Sequence, residues 1–477
     1  MNKLKLFLEN FLVYGLGGVI SQIVPLIMVP IVTRIMPNTD YYGITDMSQT
    51  IVSFCSAIAL MGMYDAMYRM FFEKEENEYK KTVCSTALLF TIASSIVVFL
   101  LMVVFRAQIA GAFYNDRKLA YVVYITAMST LVGATNGIIS APTRMENKRK
   151  VFLVTNTLSP VISYSIAIPL LLAGYYIIAL PLAYALSALI LETSFAVMNH
   201  KWFSLNLFDA DLLKKMLIIA LPLMPNFLVY WLFNSADRLM ITHLIGIGAS
   251  GIYAVGAKLG LASQLIYTAF AGGWQFFAFS TMKEENQVQT NSRIFEYLGC
   301  ISFAATMFIC ALAEPIYALL FEEEYHGAFI VSPYLFLAPL LQMLFQVAAN
   351  QFLVIKKTWP NLFILAVGAT ANIIINYAVI PRIGIEGAAL ATLIGYAMAD
   401  IICCIVLIRM DLMVLSNRFI VAVLATVLLL VAWRFVFIHH VFITLIAALA
   451  LCLLLLVLYR QDVMKIINAI IHRGDNR

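Results

Sequence analysis

Asn226, Tyr230, Asn234, Arg238 and Thr242 recur at every fourth position of an otherwise apolar stretch. On a helix such residues share one face with a slow drift, and a polar row carrying a cation suits the wall of a water-filled passage. Gln342, Gln346 and Asn350 repeat the spacing further along, and Asn372 and Asn376 offer a shorter version. Amide rows of this kind serve equally well as hydrogen bonds between helices, so both readings stand for them.

Ionisable residues inside apolar runs are the second signal. Arg, Lys or Asp at the centre of an inserted helix costs roughly 2.5–3.5 kcal/mol and usually faces a cavity. Glu192, Asp237, Arg238, Lys258 and Asp400 are so placed. Arg34, Asp65, Arg69 and Arg434 fall nearer the ends of such runs, where a long cation reaches the interface without further purpose. Asp237 and Arg238 are adjacent, so their side chains project about 100° apart and need not pair; Arg238 is thereby expected to be available to a ligand. Arg34, its neighbour by repeat position, and Lys258 would join it in the outer half of the membrane. Such cations suit an anion, and planar Arg forks suit phosphate oxygens. Asp237 and Asp400 are candidates for ion coupling.

These residues need membrane helices to position them. The 477-residue chain is 12% charged and 62% hydrophobic, against about 25% and 45–50% for a soluble domain. Apolar runs long enough to cross about 30 Å of hydrocarbon lie near 11–33, 42–66, 82–105, 119–141, 151–173, 176–198 and 214–242. A second series lies near 250–277, 294–320, 330–354, 361–380, 387–408, 418–437 and 441–459. The first run follows Lys3 and Lys5, lacks a small-residue cleavage site and reads as an uncleaved helix. With the N-terminus inside, inward segments hold 23 Lys and Arg and outward loops 7, which predicts both termini in the cytoplasm of a multi-pass membrane protein.

A weak repeat recurs at a spacing of 208 residues. Ile35 to Ile44 aligns with His243 to Ile252, Ala110 to Ala120 with Ala318 to Ala328, and Asn147-Lys148-Arg149 with Ile355-Lys356-Lys357. Six helices per half make the repeats parallel. The expected fold is an all-α integral membrane protein of about 14 transmembrane helices, with two parallel six-helix repeats forming two lobes plus two C-terminal helices. Expected parts are an N-lobe over 1–199, an interfacial linker over 200–215, a C-lobe over 216–410, two further helices over 411–460 and an amphipathic cytoplasmic tail over 461–477. Internal prolines, among them Pro25, Pro30, Pro142, Pro222, Pro225, Pro333 and Pro339, allow bends in these helices.

Signals of soluble enzymes are missing. Gly246-Ile-Gly248-Ala-Ser-Gly251 matches a dinucleotide pattern, but no strand precedes it and no acidic residue follows at about twenty. It reads as a tight outer turn, and Gly256-Ala-Lys-Leu-Gly260 as a small-residue packing face. The seven cysteines lie in or beside apolar runs without ligand spacing. No metal, no cofactor and no nucleic-acid partner is expected, and the net charge of +5 suits loops facing anionic headgroups.

The stretch from Leu212 to Gly260, with Arg34, Tyr42-Gly43, Glu324-Tyr325 and Gly384-Ile-Glu-Gly387-Ala-Ala, resembles the polysaccharide transporter family. These are the Wzx-type oligosaccharide flippases of the multidrug/oligosaccharidyl-lipid/polysaccharide exporter superfamily. The resemblance spans nearly the whole chain. It implies two lobes around a cationic cavity, alternating access and no enzymatic activity. The substrate it implies is undecaprenyl-diphosphate-linked oligosaccharide, carried from the inner to the outer leaflet for O-antigen, capsule or exopolysaccharide. Membrane lipids, the polysaccharide polymerase and the chain-length machinery are the partners it suggests. Arg238, Arg34, Lys258 and Arg69 would hold diphosphate or sugar acids, and Asn226, Tyr230 and Asn234 sugar hydroxyls. A cation-coupled drug exporter would need acidic cavity residues instead, a polymerase a large outer loop, and a flippase for the peptidoglycan precursor stays open.

Overall fold

The computed structural model describes residues 23–280, 285–355, 357 and 359–464. In chain order the helices are α1 (Ile23–Ile35), α2 (Thr39–Leu60), α3 (Met63–Phe71), α4 (Asn77–Val104), α5 (Arg106–Phe113), α6 (Ala120–Met145), α7 (Arg149–Leu172), α8 (Ala179–Asn199) and α9 (Ala210–Ala220). They continue as α10 (Met224–Leu244), α11 (Ile247–Ser280), α12 (Gln287–Leu320), α13 (Glu323–His326), α14 (Ser332–Val354), α15 (Trp359–Ile383), α16 (Ile385–Arg409), α17 (Asn417–Ala432) and α18 (Val441–Leu458). The described residues contain no strand. The chain is an all-α, multi-pass membrane protein.

Among the described residues ten helices are long and apolar enough to cross a membrane, and two bent pairs, α2–α3 and α9–α10, bring the number to as many as twelve. The other two expected crossings are α1 and α11. The run expected over 11–33 lies outside the described residues before Ile23, and α11 is a continuous helix of 34 residues. The tail expected over 461–477 lies outside them from residue 465 onward.

The run expected as one helix over 42–66 is broken, and the cause is local. Met61 and Gly62 both take left-handed backbone, with φ of 47° and 73°, which ends α2 and restarts the chain as α3 at an angle of 48°. Gly62 also abuts α9, where an added Cβ would stand 2.7 Å from the Ala220 carbonyl oxygen. A glycine satisfies the dihedral and the close approach together. The second break falls between Leu223 and Phe227, directly after the 3-10 turn Leu221–Leu223 that carries Pro222.

The described chain forms two compact units, one of residues up to Val255 with Ile373–Ala388, the other of Gly256–Asn372 with Ala389 onward. The segment 200–215 lies wholly in the first. There Trp202 is buried edge-on against Phe71, and the Ser204 and Asp209 amides donate to the hydroxyls of Ser85 and Thr86 in α4. One core of this unit joins α3, α4, α6 and α9 around Met67, Phe71 and Ile138. Another joins α2, α4, α5 and α6 around Met47, Met102 and Tyr114.

The second unit is built on α12 and α14. Buried Glu296 of α12 accepts from the Ser416 amide, the Ser416 hydroxyl and the Tyr459 hydroxyl at 2.6–2.8 Å, fastening α17 and the end of α18 to α12. Gly256 and Gly260 let α11 approach the backbone carbonyls of Ala328 and Leu335, as a small-residue face does. Most spans keep apolar side chains on the surface, where lipid takes the place of water, but α6 and α14 have 61% and 78% of their apolar windows buried. These are the fourth and tenth expected crossings, equivalent under the repeat.

Candidate functional site

The row on α10 holds its helical geometry, and its members have separate fates. Tyr230 is half-buried, Asn234 exposed and Thr242 buried; the Asn234 amide donates to the Tyr230 carbonyl and the Thr242 hydroxyl to the Arg238 carbonyl, both four residues back. The side chain of Asn226 lies outside the described residues. Arg238 departs from expectation. Its Nε stands 3.3 Å from Asp46 Oδ2, with side-chain exposures of 27% and 11%. Arg238 is therefore held by a counter-charge, and the expected ligand-ready guanidinium is corrected. A half-buried cation in low dielectric recruits the nearest anion, and Asp46 sits in the second turn of α2, which packs against α10.

Asp237 points elsewhere, as adjacency on a helix requires. Its Oδ1 accepts from the Arg238 amide at 2.8 Å and its Oδ2 from the buried Tyr253 hydroxyl of α11, so this buried carboxylate is hydrogen-bonded on both oxygens. Beside it α2 and α11 touch through glycines. An added Cβ on Gly43 would run into the Ile247 carbonyl, and one on Gly251 into the Thr39 carbonyl and, at 2.9 Å, the Gly43 nitrogen. Gly43 and Gly251 are also the positions that the 208-residue repeat aligns. The glycine pattern at 246–251 is thus a turn and a helix contact, with Gly246 at φ 140°.

The remaining candidates are dispersed. Arg34 is exposed at the end of α1, near the start of α2, whereas exposed Arg69 lies in the last turn of α3. The 22 residues of α2 separate them by about 33 Å at 1.5 Å per residue. Arg69 thus lies at the far end of α2 from Arg34. Lys258 is half-buried on α11, within the second unit. In that unit Gln342 and Asn350 are buried on α14 and Gln346 half-buried; Gln346 Oε1 and Asn350 Nδ2 have no hydrogen-bond partner among the described residues. Asp400 is buried in α16, and neither of its oxygens has a hydrogen-bond partner among the described residues. Sequence reasoning missed Asp46, Tyr253 and Glu296. Asp46 and Glu296 carried a signal, an acid inside an apolar run, while Tyr253 carried none.

At the loop after α6, Glu146 gathers Lys201 at 2.5 Å and Lys148 at 2.6 Å. Partial burial raises its carboxyl, but the hydrogen bonds and charges of the two lysines prevail and hold it below the usual glutamate value. No group of three or more His, Cys, Asp or Glu able to hold a metal ion occurs among the described residues.

A family described as "Polysaccharide biosynthesis protein" matches residues 31–330. The chain belongs to that family. Among solved structures, the chain is similar to "Lipid II flippase MurJ, inward closed conformation", with 15% identity and a TM-score of 0.71 over 96% of this chain and 100% of the other. It is also similar to an inward-facing multidrug resistance MATE family transporter of the MOP superfamily, with 15% identity and a TM-score of 0.61 over 83% and 98% of the chains. A MOP superfamily transporter from Pyrococcus furiosus with reverse polarity of its binding pocket gives 14% identity and a TM-score of 0.56 over 84% and 95% of the chains. At such identities the likeness is one of fold, and the family member has the fold of these transporters. Curated proteins give no match.

Proposed function

We propose that this protein is a flippase that moves undecaprenyl-diphosphate-linked oligosaccharide from the inner to the outer leaflet of a bacterial inner membrane, by alternating access along a cationic path. It supplies surface polysaccharide assembly, performs no catalysis of its own and has both termini in the cytoplasm. The observation that carries the reading is the family match over residues 31–330 on a chain whose fold follows a lipid flippase over 96% of its length. Arg238 serves the diphosphate when Asp46 releases it, because a guanidinium fork trades a carboxylate for phosphate oxygens at little geometric cost. Arg34 and Lys258 add charge, and Tyr230, Asn234, Gln342, Gln346 and Asn350 meet sugar hydroxyls. Asp237 and Asp400 are the acids available for ion coupling. The polymerase and chain-length machinery receive the product.

A peptidoglycan lipid precursor is the second reading, favoured by the 0.71 TM-score to the lipid II flippase. Both are tested in proteoliposomes by following transbilayer movement of fluorescent undecaprenyl-diphosphate oligosaccharide and of lipid II, with parent protein, Arg238→Ala and protein-free vesicles. Movement of the oligosaccharide lipid that needs protein and falls at least tenfold in Arg238→Ala is the expected result. Movement of lipid II alone selects the second reading. Movement that survives the substitution removes Arg238 from the path, and no movement of either lipid overturns the flippase reading.

A further inference from the structure

Glu192 has a hydrogen bond with Thr135, and, Asp400 apart, the other interior acids described above are partnered too. Asp46 has Arg238, Asp237 accepts two hydrogen bonds and Glu296 accepts three. Asp400 differs. It lies in the apolar helix α16, nine residues before its end at Arg409, and is 7% exposed. Neither carboxyl oxygen has a hydrogen-bond partner among the described residues. On its own helix the titratable neighbours are Tyr396, one turn before, and Cys403 and Cys404, one turn after, all buried. From other helices no described residue hydrogen-bonds to either of its oxygens. An ionised carboxylate stripped of water and partners costs several kcal/mol, so the neutral acid is the form this environment holds.

A hard cation would need several oxygen ligands converging on the carboxylate. No group of three or more His, Cys, Asp or Glu able to hold a metal ion occurs among the described residues, and the adjacent thiols are soft ligands. A proton needs one oxygen. We propose that Asp400 is a proton-binding site, protonated and occluded in this conformation and emptied when a second conformation admits water to this face of α16. On release the O–H bond breaks, its electron pair stays on the carboxylate and the proton passes to water. One binding and one release per cycle would couple transport to a proton gradient. That consequence rests on the flippase reading, whereas the site itself does not.

The test is infrared spectroscopy of the purified full chain in lipid nanodiscs at neutral pH without substrate. The parent-minus-Asp400→Asn difference is expected to show one protonated-carboxyl C=O band lost, and in parent protein grown with carboxyl-13C aspartate that band shifts. Should the Asn variant fail to fold, Asp400→Glu in the same labelled growth keeps a carboxyl but removes it from the labelled set, so the shifted band disappears. Loss of an ionised-carboxylate band instead, or no difference in the protonated region, overturns the proposal. The spectrum needs no lipid movement, so this site and the flippase reading fail separately.

Discussion

At the scale of single residues, Arg238 shows how a buried charge finds its place. Its guanidinium is neutralised by Asp46 across two helices, and the contact lacks hydrogen-bond geometry on the facing atoms. Such a pair is worth little if exposed and is costly to halve if buried; these exposures lie between the limits. Asp46→Asn is therefore expected to destabilise the protein by about 1–3 kcal/mol, read as a lower thermal midpoint in detergent. The double variant Asp46→Asn/Arg238→Met should recover part of the loss, because no uncompensated cation remains. Equal midpoints for parent and Asp46→Asn would show that the pair contributes nothing to stability. The polar row around Arg238 was legible in the sequence because helical period is written in spacing. Its partner was not, because pairing between α2 and α10 is set by packing of segments almost two hundred residues apart.

At the scale of helices, the contact between α2 and α11 depends on having no side chain at two positions. The atoms an added methyl would meet at Gly251 belong to the backbone of Thr39 and Gly43, and backbone cannot rotate away as a side-chain end can. Gly251→Ala is expected to cost about 1–3 kcal/mol through forced separation of the helices, lowering the thermal midpoint. Gly327→Ala serves as the control, since a Cβ there meets nothing within 4 Å and should leave stability within about 0.5 kcal/mol. Equal midpoints for the two variants would sink the account of this contact. The sequence had already aligned Gly43 with Gly251 as repeat partners. That the two touch is set by the packing of α2 against α11, which no alignment of one half on the other contains.

At the scale of the whole chain, the asymmetry of 23 against 7 basic residues predicts which loops face the cytoplasm. A membrane-impermeant thiol reagent applied to the outer face should label Tyr175→Cys, exposed in the turn after α7, and spare Lys150→Cys at the start of that helix. The reverse pattern would place both termini outside. Membrane class, helical periodicity, the repeat and the acids and cations in apolar runs were determined by the sequence alone. Each is a property of composition or spacing along one strand of chain, and hydrocarbon enforces it locally by requiring backbone hydrogen bonds within each helix. Which charges are satisfied was decided only by tertiary structure. Asp237 and Asp400 look alike in sequence, one acid each in an apolar helix. The first found a tyrosine hydroxyl and an amide while the second found nothing among the described residues. That difference arises from which helix faces which, and the energy of a buried carboxyl turns on a few ångströms between side chains far apart in sequence.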